Sequence, residues 1–449
     1  MQHTYVLKVS LITALGGFLF GFDTAVISGA NLYIQSYFEL DEVQFGFVVS
    51  SMLIGCALGG VLFGPLTGSW GRKKMLLVTG ILFFISALGS ALSTSVTAFI
   101  LYRIVGGVGV GAASMLSPLY IAEVSPAAIR GRMVSLNQLT IVLGITISFF
   151  SNYYFTGLPE TISWRWMLGI ETVPAFLFIA LLFLVPESPR WLYSKQRMEE
   201  ANAVLAKIYG PEKIVPVQKG ILADLKASSK TGDGQTNVQA FQKLWTPKYR
   251  GMVAMAIIFA VLQQVTGVNV VMYYTPNIFE QIGLGKSSAI FQTISVGITM
   301  SVFTILAMSL IDRVGRKKLM LFGAMGMATS LMLLGFVFSM ANLAPIIVLL
   351  LILCFIAFFS LSAGPVTWVL ISEILPNEIR SRAIGVATFF LWIGNFVVTF
   401  TFPILLEFFE GSAKGLIFVL FGLFCLVLFA YTKRRFTETK GKTLEEIHG

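Results

Sequence analysis

Gln263, Gln264 and Asn269, with Tyr273 and Tyr274 close behind, sit inside an apolar run from about Met252 to Ile282. Hydrocarbon offers no water to an amide. Each of these groups must find a partner in protein, in a water-filled cavity or on a ligand. At a helical 100° per residue, Gln263 and Asn269 fall about 120° apart, and Gln264 and Asn269 about 140° apart. Gly267 between them loosens the helix and lets a ligand or a second backbone come close. Amides both donate and accept, which suits a polyhydroxylated solute. The other reading of the same residues is interhelical hydrogen bonding that merely holds a bundle together.

A second set is ionisable. The first apolar run holds one carboxylate, Asp23, within Gly16-Gly17-Phe18-Leu19-Phe20-Gly21-Phe22-Asp23. An ionisable group inside such a run costs roughly 2.5–3.5 kcal/mol on insertion scales and is a functional candidate by default. Arg103 in the fourth run and Glu171 in the sixth could answer it. An acid–arginine–acid set can couple protonation to rearrangement, since the third charge competes for the arginine. A fixed structural ion pair is the alternative. Trp368 follows Gly364-Pro365-Val366-Thr367 inside the tenth run. Gly-Pro there is expected to break the helix at mid-depth, away from the interfacial belts where Trp gathers. Aromatic faces pack on the C–H faces of sugars, and equally on a protein core.

The elements that must position these groups follow from composition. Hydrophobic residues make up 56% of the 449, charged residues 12%, and mean hydropathy is +0.82. A soluble domain carries about 25% charged residues. Apolar stretches recur along the whole chain, so it reads as an all-α integral membrane protein. The expected spans are 9–33, 45–67, 75–95, 98–122, 134–156, 165–186, 251–281, 288–311, 318–341, 345–372, 383–408 and 414–432. The net charge of +10 lies in short loops between spans, which is a topology signal and not a nucleic-acid surface. Arg72-Lys73-Lys74, Arg130, Arg132, Arg313, Arg316-Lys317-Lys318, Arg380, Arg382 and Lys433-Arg434-Arg435 fall on one side. The opposite loops carry Glu39, Asp41, Glu42, Glu160, Glu280, Glu407 and Glu410. Both termini are therefore expected in the cytoplasm. Cys56, Cys354 and Cys425 read as free buried thiols without disulfide or metal spacing. His3 and His448 are terminal, so no histidine relay is expected, and no metal or cofactor. No cleavable signal peptide is expected, because the first apolar run is too long and holds Asp23.

One loop breaks the pattern of short connections. From Glu187 to Tyr249 the chain is polar, with ten Lys/Arg against six Asp/Glu. Met198–Tyr209 and Ile214–Ala227 look like amphipathic helices, and Thr231–Asn237 like a polar linker. This divides the chain into a six-helix half over 1–188, a helical cytoplasmic linker over 189–249, a second six-helix half over 250–432 and a tail over 433–449. The halves repeat. Gly71-Arg72-Lys73-Lys74 matches Gly315-Arg316-Lys317-Lys318, 244 residues on. The decapeptide Glu123-Val-Ser-Pro-Ala-Ala-Ile-Arg130-Gly-Arg132 matches Glu373-Ile-Leu-Pro-Asn-Glu-Ile-Arg380-Ser-Arg382, 250 residues on. Two parallel six-helix repeats are the layout of transporters that bind substrate near the midplane between them. Positive-inside topology requires the arginines but not the glutamates. The Glu123/Arg130 and Glu373/Arg380 pairs, with Arg72 and Arg316, are thus expected to form ion-pair clusters that close the cytoplasmic side. Glycines Gly55, Gly59, Gly60, Gly64 and Gly68, and Gly106, Gly107, Gly109 and Gly111, are read as close helix packing.

Together these residues resemble the sugar porter family of the major facilitator superfamily, over nearly the whole chain. The most specific pieces are Pro186-Glu187-Ser188-Pro189-Arg190-Trp191-Leu192, the doubled Glu-x-x-Pro-x-x-Ile-Arg pattern, and Gln263-Gln264 through Tyr274. The stretch from Arg103 to Glu123 is most similar to the bacterial xylose–proton symporter branch. The resemblance implies a sugar bound by Gln138, Gln263, Gln264, Asn269 and Trp368, with Trp392 beside them. It implies Asp23 and Arg103 as a proton-coupling pair with Glu171, and Arg190 among the cytoplasmic gate residues. The facilitative glucose carriers of animals have Asn in place of Asp23, so the acid argues for symport. The chain departs from the family pattern at Met300 and Leu391, which replace pocket amides, and at Ile145, Gly68 and Thr437.

The leading expectation is a proton-coupled hexose or pentose importer working by alternating access, as a monomer in membrane lipid. A facilitated uniporter is the second reading. A non-transporting sugar sensor is a third, disfavoured by a tail of only 18 residues after Tyr431. No nucleophile–base set or phosphate loop points to an enzyme. The absence of Asn-x-Ser/Thr sequons and the short loops favour a bacterial inner membrane.

Overall fold

The computed structural model describes residues 2–232, 241–340, 344–376, 378–438 and 440. Twelve helical spans are long and apolar enough to cross a membrane, and no strand occurs among the described residues. The first half contains α1 (Gln2–Tyr37), α2 (Glu42–Trp70), α3 (Arg72–Leu92), α4 (Val96–Val124), α5 (Ala127–Phe155), α6 (Glu160–Gly169) and α7 (Thr172–Leu182). Among the described residues the linker carries α8 (Pro189–Ser194), α9 (Met198–Tyr209) and α10 (Ile214–Gly232). The second half contains α11 (Arg250–Val265), α12 (Val268–Gln281), α13 (Lys286–Val314), α14 (Arg316–Phe338), α15 (Pro345–Leu361), α16 (Ala363–Ile374), α17 (Arg380–Phe408) and α18 (Gly415–Arg435). The helices overrun the apolar segments by up to a turn or two, because their polar ends continue into the loops. The expected polar linker at Thr231–Asn237 starts inside α10, and its part from 233 on lies outside the described residues.

Three spans are two helices each, and each break has a local cause. The sixth span breaks at Ile170–Glu171, four residues before Pro174, which cannot donate back to Ile170. The seventh breaks where Gly267 takes the left-handed conformation, φ 86°. The tenth breaks at Ser362, φ −129° and ψ −89°. Pro365 thus falls in the first turn of α16, where a missing N–H is tolerated, and the expected break at Gly364-Pro365 lies two residues earlier than the dipeptide. The repeated Gly-Arg-Lys-Lys turns share one geometry: Gly71 and Gly315 have φ 97° and 98°.

The bundle has a basic end, with the basic loops, and an acidic end. The halves meet toward the acidic end. Asn31 Nδ2 donates to the Tyr273 carbonyl at 2.9 Å. Thr146 Oγ1 donates to the Gly297 carbonyl at 2.9 Å and lies 2.8 Å from Ser301 Oγ. Lys286 pairs with Glu160 at 2.9 Å, and Phe45 packs edge-on against Tyr274. No such link joins the halves toward the basic end among the described residues. There Gly60, Gly64 and Gly68 of α2 and Gly385 of α17 face open space. Of the glycines read as packing faces, Gly55, Gly59, Gly107 and Gly111 do interlock α2 with α4. Cys56 and Cys425 are buried as expected, but Cys354 is exposed, because it falls on the outer face of α15.

Candidate functional site

Close packing of α2 on α4, through Gly55 and Gly107, brings Arg103 beside both Met52 and α1. Asp23 and Arg103 are each 1% exposed. Arg103 Nη1 donates to Asp23 Oδ1. Its Nη2 donates to the Asp23 carbonyl at 3.4 Å and to Met52 Sδ at 2.9 Å. Asp23 Oδ2 and Arg103 Nε have no partner. Glu171 is 2% exposed, stands at the break in the sixth span, and senses the charges of both. Its Oε1 is buried without a hydrogen bond. The arginine therefore answers one carboxylate while a second stays unpaired nearby. These are the only charged side chains buried among the described residues. Removing one partner of such a pair costs about 3–5 kcal/mol, unless a proton takes its place.

The amides form a chain. Gln263 Nε2 donates to the Ala363 and Gly364 carbonyls in the first turn of α16, at 2.8 and 3.2 Å. Gln264 Nε2 donates to Gln263 Oε1 at 3.3 Å, and Asn269 Nδ2 donates to Gln264 Oε1. The left-handed Gly267 is what folds Asn269 back onto Gln264. Gln263 thus joins the seventh span to the tenth, while Gln264 and Asn269 keep donors or acceptors to spare. Trp392 of α17 is buried, 6.1 Å from Phe20 across the two halves, and its Nε1 has no partner. Gly394, half a turn on, lies against Gln264. Trp368 is 40% exposed. Gln138 on α5 is half-buried, and neither it nor Trp368 makes a side-chain hydrogen bond or ring contact among the described residues. Leu391 is buried and Met300 half-buried, where the family pattern places amides.

At the basic end each half carries one cluster. Arg72 makes a two-pronged pair with Glu123, Nε and Nη2 each at 2.9 Å. Ser188 Oγ donates to the same carboxylate. Arg316 pairs with Glu373 at 3.2 Å. Arg130 is exposed and makes no ion pair among the described residues, so Glu123 answers Arg72 and not Arg130. Arg380 Nε donates to the Leu375 carbonyl at 2.9 Å. Arg190 lies 3.9 Å from Asp224 of α10, with the arginine half-buried and the aspartate exposed.

Two carboxylates that sequence reasoning did not single out complete these clusters. Glu187 accepts from the backbone N–H groups of Arg72 and Lys73 at 3.0 and 3.2 Å. Glu438 accepts from those of Arg316 and Lys317 at 2.9 and 3.1 Å. Each caps the start of its helix, α3 or α14, where free N–H groups favour an anion. Burial pushes the Glu187 carboxyl up, against the pull of those N–H groups. The signal was available: both glutamates follow the last span of their half. Farther along, Tyr249 Oη donates to Glu378 at 2.6 Å and Lys243 pairs with it at 3.2 Å. These bonds, Tyr249 first, hold the Glu378 carboxyl below its ordinary range.

The sequence matches the profile of sugar (and other) transporters over residues 9–449. It is 38% identical to the D-xylose-proton symporter of Escherichia coli strain K12, covering 99% of this chain and 96% of that protein. It is 39% identical to the arabinose-proton symporter of Bacillus subtilis strain 168, covering 99% and 94%. Its fold matches the partially occluded inward-open xylose transporter of E. coli with a TM-score of 0.85 at 37% identity, covering 98% and 100%. The two breaks that frame the amide chain, the doubled basic-end clusters and the twelve spans all find their place in one statement: the chain is a multi-pass plasma-membrane transporter of the sugar transporter family, with the major facilitator fold.

Proposed function

We propose that this protein imports a monosaccharide together with a proton, by alternating access of a site between its two halves. The observation that carries the proton is the buried Asp23–Arg103 pair with an unpaired Glu171 beside it. A uniporter has no use for a second buried carboxylate next to an already answered arginine. Gln264 and Asn269, with Gln138, Trp368 and Trp392, are assigned to the sugar, and Gln263 to both sugar and the α16 carbonyls. The basic end is cytoplasmic, with both termini, so the structure faces inward. Residues 1–188 and 250–432 are the two bodies that rock, 189–249 is the cytoplasmic linker and 433–449 the tail. The Arg72–Glu123 and Arg316–Glu373 clusters, with Arg130, Arg190 and Arg380, belong to the cytoplasmic gate. The protein works as a monomer surrounded by lipid.

In the cycle, the Asp23 carboxylate starts paired with Arg103. A proton from outside neutralises the carboxylate and frees Arg103 to turn to Glu171. The halves then rock with sugar bound, and the proton leaves inside as the pair re-forms. Uptake of labelled D-xylose, L-arabinose and D-glucose into sealed proteoliposomes, with and without an inward proton gradient, tests this. The expected result is accumulation of at least one sugar above equilibrium only when the gradient is present. Equilibration without accumulation for every sugar transported would leave the uniporter reading standing and remove this one.

A further inference from the structure

Asp23 has two carboxylate oxygens, and Arg103 answers one. The other, Oδ2, faces Gly106, one turn beyond Arg103 on α4. A methyl group placed on Gly106 would lie 2.8 Å from Asp23 Oδ2 and closer still to Ser86 Oγ of α3. The two oxygens are therefore no more than about 5 Å apart, a gap that one rotamer change or one bridging water spans. Ser86 is buried and makes no hydrogen bond among the described residues. Ser90, one turn nearer the acidic end on the same face, is also buried, and its Oγ has no partner. Buried hydroxyls on helices ordinarily bond back to the carbonyl one turn earlier, as Thr79 and Ser93 do in and beside this helix. Ser86 and Ser90 lack that bond, which leaves both hydroxyls open to another partner.

The packing of the sixth span on α3 supplies it. Gly80 faces Phe178 and Ile179, and Gly169 faces Ala91. In that antiparallel register Glu171 stands level with the turn between Ser86 and Ser90. Its own Oε1 is the fourth unpartnered oxygen of the group. The remaining titratable groups facing this cluster are Arg103 from α4, Cys56 from α2 and Tyr273 from α12.

We propose that Ser86 and Ser90 are relay residues that carry the proton from the acidic end to Asp23, past Glu171, along a route on α3 separate from the sugar path. Each hydroxyl takes a proton on a lone pair as it releases its own toward the next oxygen. One proton leaves outer water, one arrives on Asp23 Oδ2, and both serines end as they began. A hydroxyl suits both states of the acid, donating to the carboxylate and accepting from the carboxylic acid. The amide cluster, by contrast, has no group that titrates.

This inference rests on the proton-coupled reading above, and one experiment separates the two. Proteoliposomes are given an inward proton gradient and whichever of labelled D-xylose, L-arabinose or D-glucose the wild type accumulates. Net uptake and sugar exchange at equal pH are both measured across a range of outer pH. Ser86→Ala is expected to slow net uptake about a hundredfold at neutral outer pH, the low end for loss of a proton-transfer group. Acidifying the outside should restore most of the rate, and exchange should fall far less than net uptake. Ser86→Thr keeps the hydroxyl and should behave like wild type. Should Ser86→Ala fail to reach the membrane, Ser90→Ala reports on the same route and is expected to show the same pH profile. Equal loss of uptake and exchange, a wild-type pH profile in the alanine variant, or no rescue by Thr would overturn the relay and leave symport intact. A wild type that accumulates no sugar would overturn symport itself.

Discussion

The two halves repeat in fold and divide the chemistry. The first half holds every buried charge among the described residues: Asp23, Arg103 and Glu171. The second buries amides and rings, Gln263, Gln264, Asn395 and Trp392, and no charge. The basic-end clusters, in contrast, are duplicated, with Arg72–Glu123 and Arg316–Glu373 pairs and Glu187 and Glu438 capping equivalent helices. A duplicated framework thus closes one end, while each half has kept a different set of groups at mid-depth. Under the proposed mechanism, separating the titrating groups from the amides lets protonation change the first half's geometry without removing hydrogen bonds from the sugar. On that mechanism coupling passes through the contact between halves, where Phe20, three residues before Asp23, meets Trp392.

The sharpest way to break this comparison is to neutralise the first half alone. A proton entering down the membrane potential supplies about 2.3 kcal/mol per 100 mV. That supports roughly fiftyfold accumulation at one proton per sugar. Asp23→Asn imitates the protonated acid, so accumulation should fall to the equilibrium level, while exchange of labelled sugar across the membrane continues. Accumulation by Asp23→Asn at the wild-type level would mean that the buried charges only hold helices together.

The second half is tested by cutting its amides. Gln264→Ala or Asn269→Ala should weaken sugar binding by tenfold or more, about 1.4 kcal/mol, as read by calorimetry, with thermal stability nearly kept. Gln263→Ala should do something different. It removes the hydrogen bonds that tie the seventh span to the tenth, each worth about 0.5–1.5 kcal/mol, so a lower unfolding temperature should accompany any loss of binding. If all three variants bind alike and melt alike, the division between sugar-facing and structural amides is wrong.

The difference between Gln263 and its neighbours shows what the sequence could carry and what it could not. Period and length made the twelve spans legible, and the duplicated motifs made the two halves legible. Gly267 announced its break through a residue type that alone tolerates a left-handed turn. The partner of Gln263 did not appear, because it is a pair of backbone carbonyls in the first turn of α16, a hundred residues away. Glu123 likewise lay opposite two arginines in the pattern, Arg72 and Arg130, and only packing decided that Arg72 reaches it. Ser86 is a common residue in an apolar helix. Its place beside Asp23 depends on Gly106 having no side chain.

The smallest effect is expected where the halves touch. Lys286 pairs with Glu160 at the acidic end, with side chains 27% and 65% exposed. The ammonium also sits 5.3 Å from the centre of the Tyr33 ring. Exposed pairs contribute about 0.2–1 kcal/mol, because water and salt screen them and both side chains lose freedom. This pair exists only while the acidic end is closed, so its energy bears on the balance between the two open states, and hardly on folding. Lys286→Ala should shift that balance by about twofold to fivefold toward opening at the acidic end. Gly64 faces open space at the basic end in the present state and supplies the readout. In a Gly64→Cys, Cys354→Ser background, a membrane-impermeant thiol reagent on the basic side should label the Lys286→Ala variant two- to fivefold more slowly. The slowing should shrink in high salt, as a screened ion pair requires. Labelling at an unchanged rate would mean that the halves are held by Asn31, Thr146 and the aromatic contacts alone, with the surface pair adding nothing.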